Sequence, residues 1–180
     1  MSRKGGKVRI AFNGLFLTRP HSGMGRYSHG LLPALAKALT NAEILVFVPE
    51  PVDFAVPAKV KVVEVPPKRF WLGRGVALDD WERRTMPRAV AEAGASLYHA
   101  PYDCPLPDFR IPAVMTVHDM IPWQFPYYRR SARARAKAKR KLDGIRRADR
   151  IVTVSQASAE AISAVAGVPS QLISVAHESV

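Results

Sequence analysis

Short apolar runs recur along this chain, and stretches of helical periodicity separate most of them. Residues 8–12 form the first run, broken by Asn13-Gly14, and predict a strand. A loop holding Gly23, Gly25 and Arg26 follows, then an Ala/Leu-rich helix over residues 31–39. Residues 42–48 read as a strand ended by Pro49, and residues 60–65 alternate as an edge strand closed by Pro66-Pro67. A helix through residues 84–93 stops at Gly94, ahead of a brief strand at 96–99. Residues 113–118 and 150–154 are rich in β-branched side chains and predict two more strands. A helix starting at Ser155-Gln156 stops at Gly167, and a last strand covers residues 172–176. Strands alternating with helical segments predict an α/β fold: a doubly wound, mostly parallel, Rossmann-like sheet, formed as one domain over residues 1–180.

In such sheets ligands bind outside the carboxyl ends of the strands. Those ends carry Asn13, the Gly23/Gly25 loop, His99, His118-Asp119 and Ser155. A strand, a Gly-rich turn and a helix N-terminus can hold an anion, because the backbone comes close and unpaired N–H groups face the ligand. A plain tight turn between strand and helix reads the same way. The spacing Gly-x-Gly-Arg lacks both the lysine of a P-loop and the third glycine of a dinucleotide fingerprint, so neither nucleotide motif is met.

Charge narrows the partners. Lys and Arg total 27 against 15 Asp and Glu, and a net +12 favours phosphorylated ligands, anionic lipid surfaces or nucleic acid. Nucleic acid is not expected, since no helix-turn-helix, zinc spacing or RNP-like strand accompanies the charge. Residues 129–150 contain eleven Lys or Arg and only two Asp. Ser131, Ala134, Ala138, Leu142, Ile145 and Ala148 make a narrow stripe there that can lie on the sheet. The other faces are either a solvated helix back or an attachment to anionic phospholipid headgroups. Phe70, Trp71 and Leu72, set between Lys68-Arg69 and Arg74, are either a wedge for a bilayer interface or buried loop aromatics. The single Cys104 excludes an internal disulfide and suits a reducing cytoplasm. No run approaches 18 apolar residues, and the first is too short for a secretory signal. No metal-ligand cluster, Ser–His–Asp grouping or hydrolytic carboxylate pair is evident.

Four segments carry a resemblance. Ser22-Gly23-Met24-Gly25-Arg26-Tyr27 resembles the Gly-x-Gly-Arg-Tyr loop of bacterial family-four retaining glycosyltransferases, notably mannosyltransferase-like members. Leu97-Tyr98-His99-Ala100-Pro101, and Pro112 through Pro122 with its central Val117-His118-Asp119, resemble two further segments of that family, the second extended by Phe125-Pro126. Ala148-Asp149-Arg150-Ile151-Val152-Thr153-Val154-Ser155 resembles a fourth.

The resemblance implies a two-domain enzyme of the GT-B type, of which this chain is the N-terminal, acceptor-side half without its C-terminal donor-binding domain. It implies transfer of a hexose, plausibly mannose, from a nucleotide diphosphate sugar to a lipid-linked or polysaccharide acceptor at the inner membrane face. Location is then cytoplasmic and peripheral, no metal or cofactor is expected, and the chain alone is expected to be inactive. Gly23 and Gly25 should line the donor diphosphate, with Arg26 adding charge there or supporting the loop. His118 matches the histidine that contacts the transferred sugar. Asp119 orients His118 or caps the following turn; Asn13, His99 and Ser155 are acceptor or cleft residues, with a structural role as the alternative for the last two. Residues 173–178 resemble the corner leading to the second domain, although Glu178-Ser179 replaces the usual glycine. The alternative is a non-catalytic Rossmann-like module that binds anionic membrane or a phosphorylated ligand.

Overall fold

Nearly continuous buried runs build the inner strands of the first of two compact units, residues 1–99 and 100–180. The computed structural model describes residues 8–68, 71 and 73–178. Arg69, Phe70 and Leu72 lie outside them, so of the aromatic wedge at 70–72 only Trp71 is placed, and it is exposed.

In the first unit β1 (Val8–Asn13), β2 (Ala42–Val48), β3 (Val60–Glu64) and β4 (Leu97–Ala100) are parallel, in the order β3-β2-β1-β4. The chain winds outward from β1 to β3 and then returns to the other flank of β1. The reversal therefore falls between β1 and β4, the place where such sheets open a crevice. Helix α1 (Gly23–Ala38) lays Leu32 and Ala36 on Phe12, Ile44, Val46 and Val48, which form the core. Between β3 and β4 one helical run comprises α2 (Arg74–Asp80), a π-helical turn (Trp81–Thr85) and α3 (Met86–Glu92). It begins ten residues before the expected helix. Trp81, wholly buried, ties the run to the end of β3 by donating Nε1–H to the Val65 carbonyl at 2.6 Å.

The second unit holds β5 (Ala113–Thr116), β6 (Arg150–Thr153) and β7 (Ile173–Val175), parallel and in that order. Asp149 clamps the start of the pair: its carboxylate accepts the Ala113 amide at 2.8 Å while its own amide donates to the Ala113 carbonyl. After β5 come the short helix α4 (Ile121–Gln124), a 3-10 turn (Pro126–Arg129) and α5 (Ala132–Arg147); α6 (Gln156–Ala166) links β6 to β7. Gly144 packs α5 onto the 104–106 segment so closely that a Cβ there would overlap the Cys104 carbonyl. Gly167 ends α6 with φ 70°, a left-handed cap that favours glycine.

Candidate active site

Each unit presents one strand end that the sequence singles out. At the end of β1, Asn13 is fully buried. Its Nδ2 donates to Tyr98 Oη at 3.0 Å and its Oδ1 accepts the Leu15 amide at 3.1 Å. Asn13, expected at the cleft, thus has both ends of its amide engaged inside the turn. Gly14 donates to the Phe47 carbonyl at 2.8 Å, and a Cβ on it would lie 2.7 Å from methyls of Val46 and Val48.

The glycine pair, expected in a loop, stands in the first turn of α1. Ser22 caps this helix, its Oγ accepting the Gly25 amide at 3.0 Å and donating to the Arg19 carbonyl at 2.9 Å. Sequence reading missed this cap because two glycines in three residues suggest a helix breaker. Gly25 is buried, and a Cβ there would overlap the Arg19 carbonyl, whereas one at Gly23 meets nothing within 4 Å. With the Gly25 amide on Ser22, Gly23 and Met24 are left as the leading N–H groups of the helix, where an anion is favoured. Arg26, on the same turn, is exposed.

On β4, His99 pairs with Phe12 of β1, and the rings meet edge-on with centroids 5.5 Å apart. Its Nε2 is buried without a hydrogen-bond partner among the described residues. Desolvation pushes the pKa of His99 down to about 4, so it sits in the core as a neutral ring. A separate hollow of about 500 Å³ opens where β3 ends. Val65, Lys68, Thr85 and Arg88 line it, with Arg84 paired to Asp80 at 3.0 Å. It had no signature in the sequence, since its wall is the polar face of a helix interrupted by the π-helical turn.

In the second unit, β5 delivers His118 to the rim. The ring is held on one side by the Pro101 carbonyl, 3.2 Å from Nε2, and on the other by Glu178 Oε1, 3.3 Å from Nδ1. A carbonyl only accepts, so this bond places a proton on Nε2. The side chain keeps 19% of its surface exposed. Asp119 Oδ1 accepts the Ile121 amide at 2.9 Å, which caps the turn into α4. Ser155 caps α6: its Oγ accepts the Ser158 amide at 3.1 Å and donates to Ser158 Oγ at 3.0 Å. Ser158 Oγ in turn donates to the His118 carbonyl at 2.8 Å. Ser155 thus reaches the His118 backbone through Ser158, a residue with no sequence signal because its partner lies 40 positions away. Among the described residues no group of three or more His, Cys, Asp or Glu side chains could hold a metal ion, and no helix is long and apolar enough to cross a membrane.

The sequence profile described as Glycosyltransferase Family 4 matches residues 21–180. No curated protein sequence matches the chain. Among solved structures, the lipopolysaccharide outer core galactosyltransferase WaaB in its apo form is similar at 14% identity and TM-score 0.58, over 96% of this chain and 46% of that one. A variant of the wall teichoic acid polymerase TagF gives 14% identity and TM-score 0.59, over 95% of this chain and 38% of that one. A ugt transferase from Siraitia grosvenorii in complex with UDP gives 10% identity and TM-score 0.59, over 94% and 47%. These likenesses establish the fold alone, an α/β Rossmann-like sheet matching GT-B N-terminal domains. The chain spans less than half the length of each.

Proposed function

The chain belongs to Glycosyltransferase Family 4, and on that premise we propose that it is the acceptor-side, N-terminal domain of a retaining hexosyltransferase. The donor is a nucleotide diphosphate sugar, with mannose the favoured hexose. The acceptor is lipid-linked or a polysaccharide at the cytoplasmic face of the membrane. A second Rossmann-like half holds most of the donor, so this chain alone does not turn over. No metal ion or organic cofactor is needed.

The observation that carries this reading is the His118 rim. With Glu178 displaced from Nδ1, a ring fixed through Nε2 to the Pro101 carbonyl turns Nδ1 to a sugar hydroxyl as acceptor. A hydroxyl donating to Nδ1 becomes more electron-rich at oxygen, which stabilises positive charge growing on the sugar ring as the donor bond breaks. Glu178 Oε1, now 3.3 Å away, leaves Nδ1 when the hydroxyl arrives. Taken by itself, the first unit offers the Gly23 and Met24 amides and Arg26 to a phosphate group, while Gly25 lets the turn close.

The test is to produce this chain continued by the sequence that follows it in its gene, and to assay labelled UDP-, GDP- and ADP-hexoses with membrane extracts. Transfer is expected from the extended protein and none from residues 1–180 alone. His118→Ala should lower kcat/KM by about 10²-fold or more, the scale of one hydrogen bond to developing charge. An extended, folded protein that consumes no nucleotide sugar refutes the reading.

A further inference from the structure

Seven large hydrophobic side chains are exposed among the described residues, and four of them, Ile121, Phe125, Tyr127 and Tyr128, fall within eight positions. They belong to a longer feature. From Ile121 to Lys137 no residue is buried, although Met120 before it and Ala138 after it both are. The same segment carries Arg129, Arg130, Arg133, Arg135 and Lys137 and no Asp or Glu. Among the described residues none of these five cations makes an ion pair.

The segment is nevertheless built. Arg129 reaches back to the carbonyls of Pro122 and Trp123, each at 2.8 Å. Trp123 Nε1 donates to the Ala138 carbonyl at 3.2 Å. Arg135 donates to the Arg130 carbonyl at 2.8 Å, and Ser131 caps α5 through the Ala134 amide. The Arg130 guanidinium lies 4.2 Å from the centre of the Tyr127 ring, which meets Tyr128 edge-on. Hydrogen bonds, not apolar burial, fix this arm, and its aromatic surface is left outward.

The rest of α5 is different. Lys139 pairs with Asp143 at 2.8 Å and Lys141 with Asp103 at 2.7 Å. Arg146 donates to the Ala166 carbonyl, and Arg147 to Asp108 and the Leu106 carbonyl. The basic run of the sequence thus divides: the cations of 139–147 reach acids or the carbonyls of other segments, whereas within 129–137 Arg129 and Arg135 bond inside the arm and Arg130 lies over the exposed Tyr127 ring.

We propose that residues 121–137 are an interfacial docking arm for anionic phospholipid bilayers. Ile121, Phe125, Tyr127 and Tyr128 enter the boundary between headgroups and acyl chains, and the cations settle on headgroup phosphates. Charge complementarity points to an anionic partner. The aliphatic Ile121 and the bare ring of Phe125 select a bilayer over nucleic acid, because an acyl boundary removes both from water. The proposal rests on the lipid-linked acceptor reading for its purpose, since an arm of this kind would hold the enzyme where such an acceptor lies.

The test is flotation of the 180-residue chain with vesicles of phosphatidylcholine, with and without phosphatidylglycerol. Binding is expected only with phosphatidylglycerol, and should weaken at high salt. Replacing Arg130, Arg133 and Lys137 together by Gln should weaken it roughly 100-fold, at about 1 kcal/mol per cation. Replacing Phe125, Tyr127 and Tyr128 together by Ser should weaken it at least about tenfold. Lys139→Gln, outside the arm, should leave binding within about twofold. Circular dichroism checks folding, and none of the replaced side chains is buried. Equal binding to both vesicles, no binding, or variants that float like the wild type overturn the proposal, as does a duplex oligonucleotide that displaces the chain from vesicles. Flotation needs no donor sugar. Failure of transfer by the extended protein therefore leaves the arm standing, and failure of flotation leaves the transfer reading standing.

Discussion

After β1 the chain turns on groups that are already engaged: Asn13 with Tyr98 and Leu15, Gly14 with Phe47, Gly25 with Ser22. After β5 the backbone of His118 is held in the same manner, by Ser158, yet its ring still reaches the surface, with Nδ1 3.3 Å from the Glu178 carboxylate. Both ends place polar residues where a parallel sheet receives ligands. At β1 the side chains build the turn and only helix amides are offered; at β5 the backbone builds the turn and a side chain is offered. Polar residues at strand ends therefore divide by what their hydrogen bonds already serve.

The sharpest way to break this contrast is at the glycines. Gly25→Ala should destabilise the chain by about 3 kcal/mol, because a Cβ would overlap the Arg19 carbonyl and the cap of α1 must shift. Gly23→Ala meets open space and should change stability by less than about 0.5 kcal/mol. Paired urea melts measure both. Equal costs at the two glycines would mean that the turn is not set by the approach of Arg19 to Gly25.

A second contrast lies between His99, packed on Phe12, and His118 at the rim. The folded pKa of His99 is lowered to about 4 from an ordinary 6.5, so its contribution to stability is fully present above about pH 6.5. It is lost as pH falls toward 4, because the unfolded chain takes up the proton first. From pH 7 to pH 5 this amounts to about 2 kcal/mol. Glu43, held low by Lys61 and Arg9, and Asp143, held low by Lys139, lose their contributions at more acid pH. The window just below pH 6.5 thus reports His99. In His99→Phe, urea midpoints between pH 7 and pH 5 should flatten; an unchanged slope would mean that the ring protonates in place.

How far these features were legible in the chain follows from the range of the forces behind them. β2 begins and ends where its apolar run and Pro49 place it, and β5, β6 and β7 differ from expectation by a residue or two at their ends. Such strands are written locally. The start of α1 was hidden because Gly25 reads as a breaker, and only the Arg19 carbonyl, six residues back, explains it. The segment 121–129 was missed because it buries nothing and so has no amphipathic period. His118 and Asp119 stood out at the end of a strand. Pro101, Ser158 and Glu178, which fix the ring and its backbone, are brought there by other elements.

The smallest expected effect decides what Asp119 does beside His118. Its Oδ1 accepts the Ile121 amide at 2.9 Å, so the structure uses it as a cap. Asn can accept the same bond but cannot take a proton as a carboxylate does. Asp119→Asn should therefore keep both stability and, in the extended protein, the rate of transfer. Asp119→Ala should cost about 1 kcal/mol of stability, the usual cost of a lost cap, and loosen the turn that follows His118. Urea melts and kcat/KM on the same three proteins separate the roles. If Asn is as damaging to kcat as Ala while melting like the wild type, the carboxylate acts in the chemistry. If Asn matches the wild type in both, the β5 rim offers the reaction one ring, and Asp119, like Asn13 at β1, belongs to the turn.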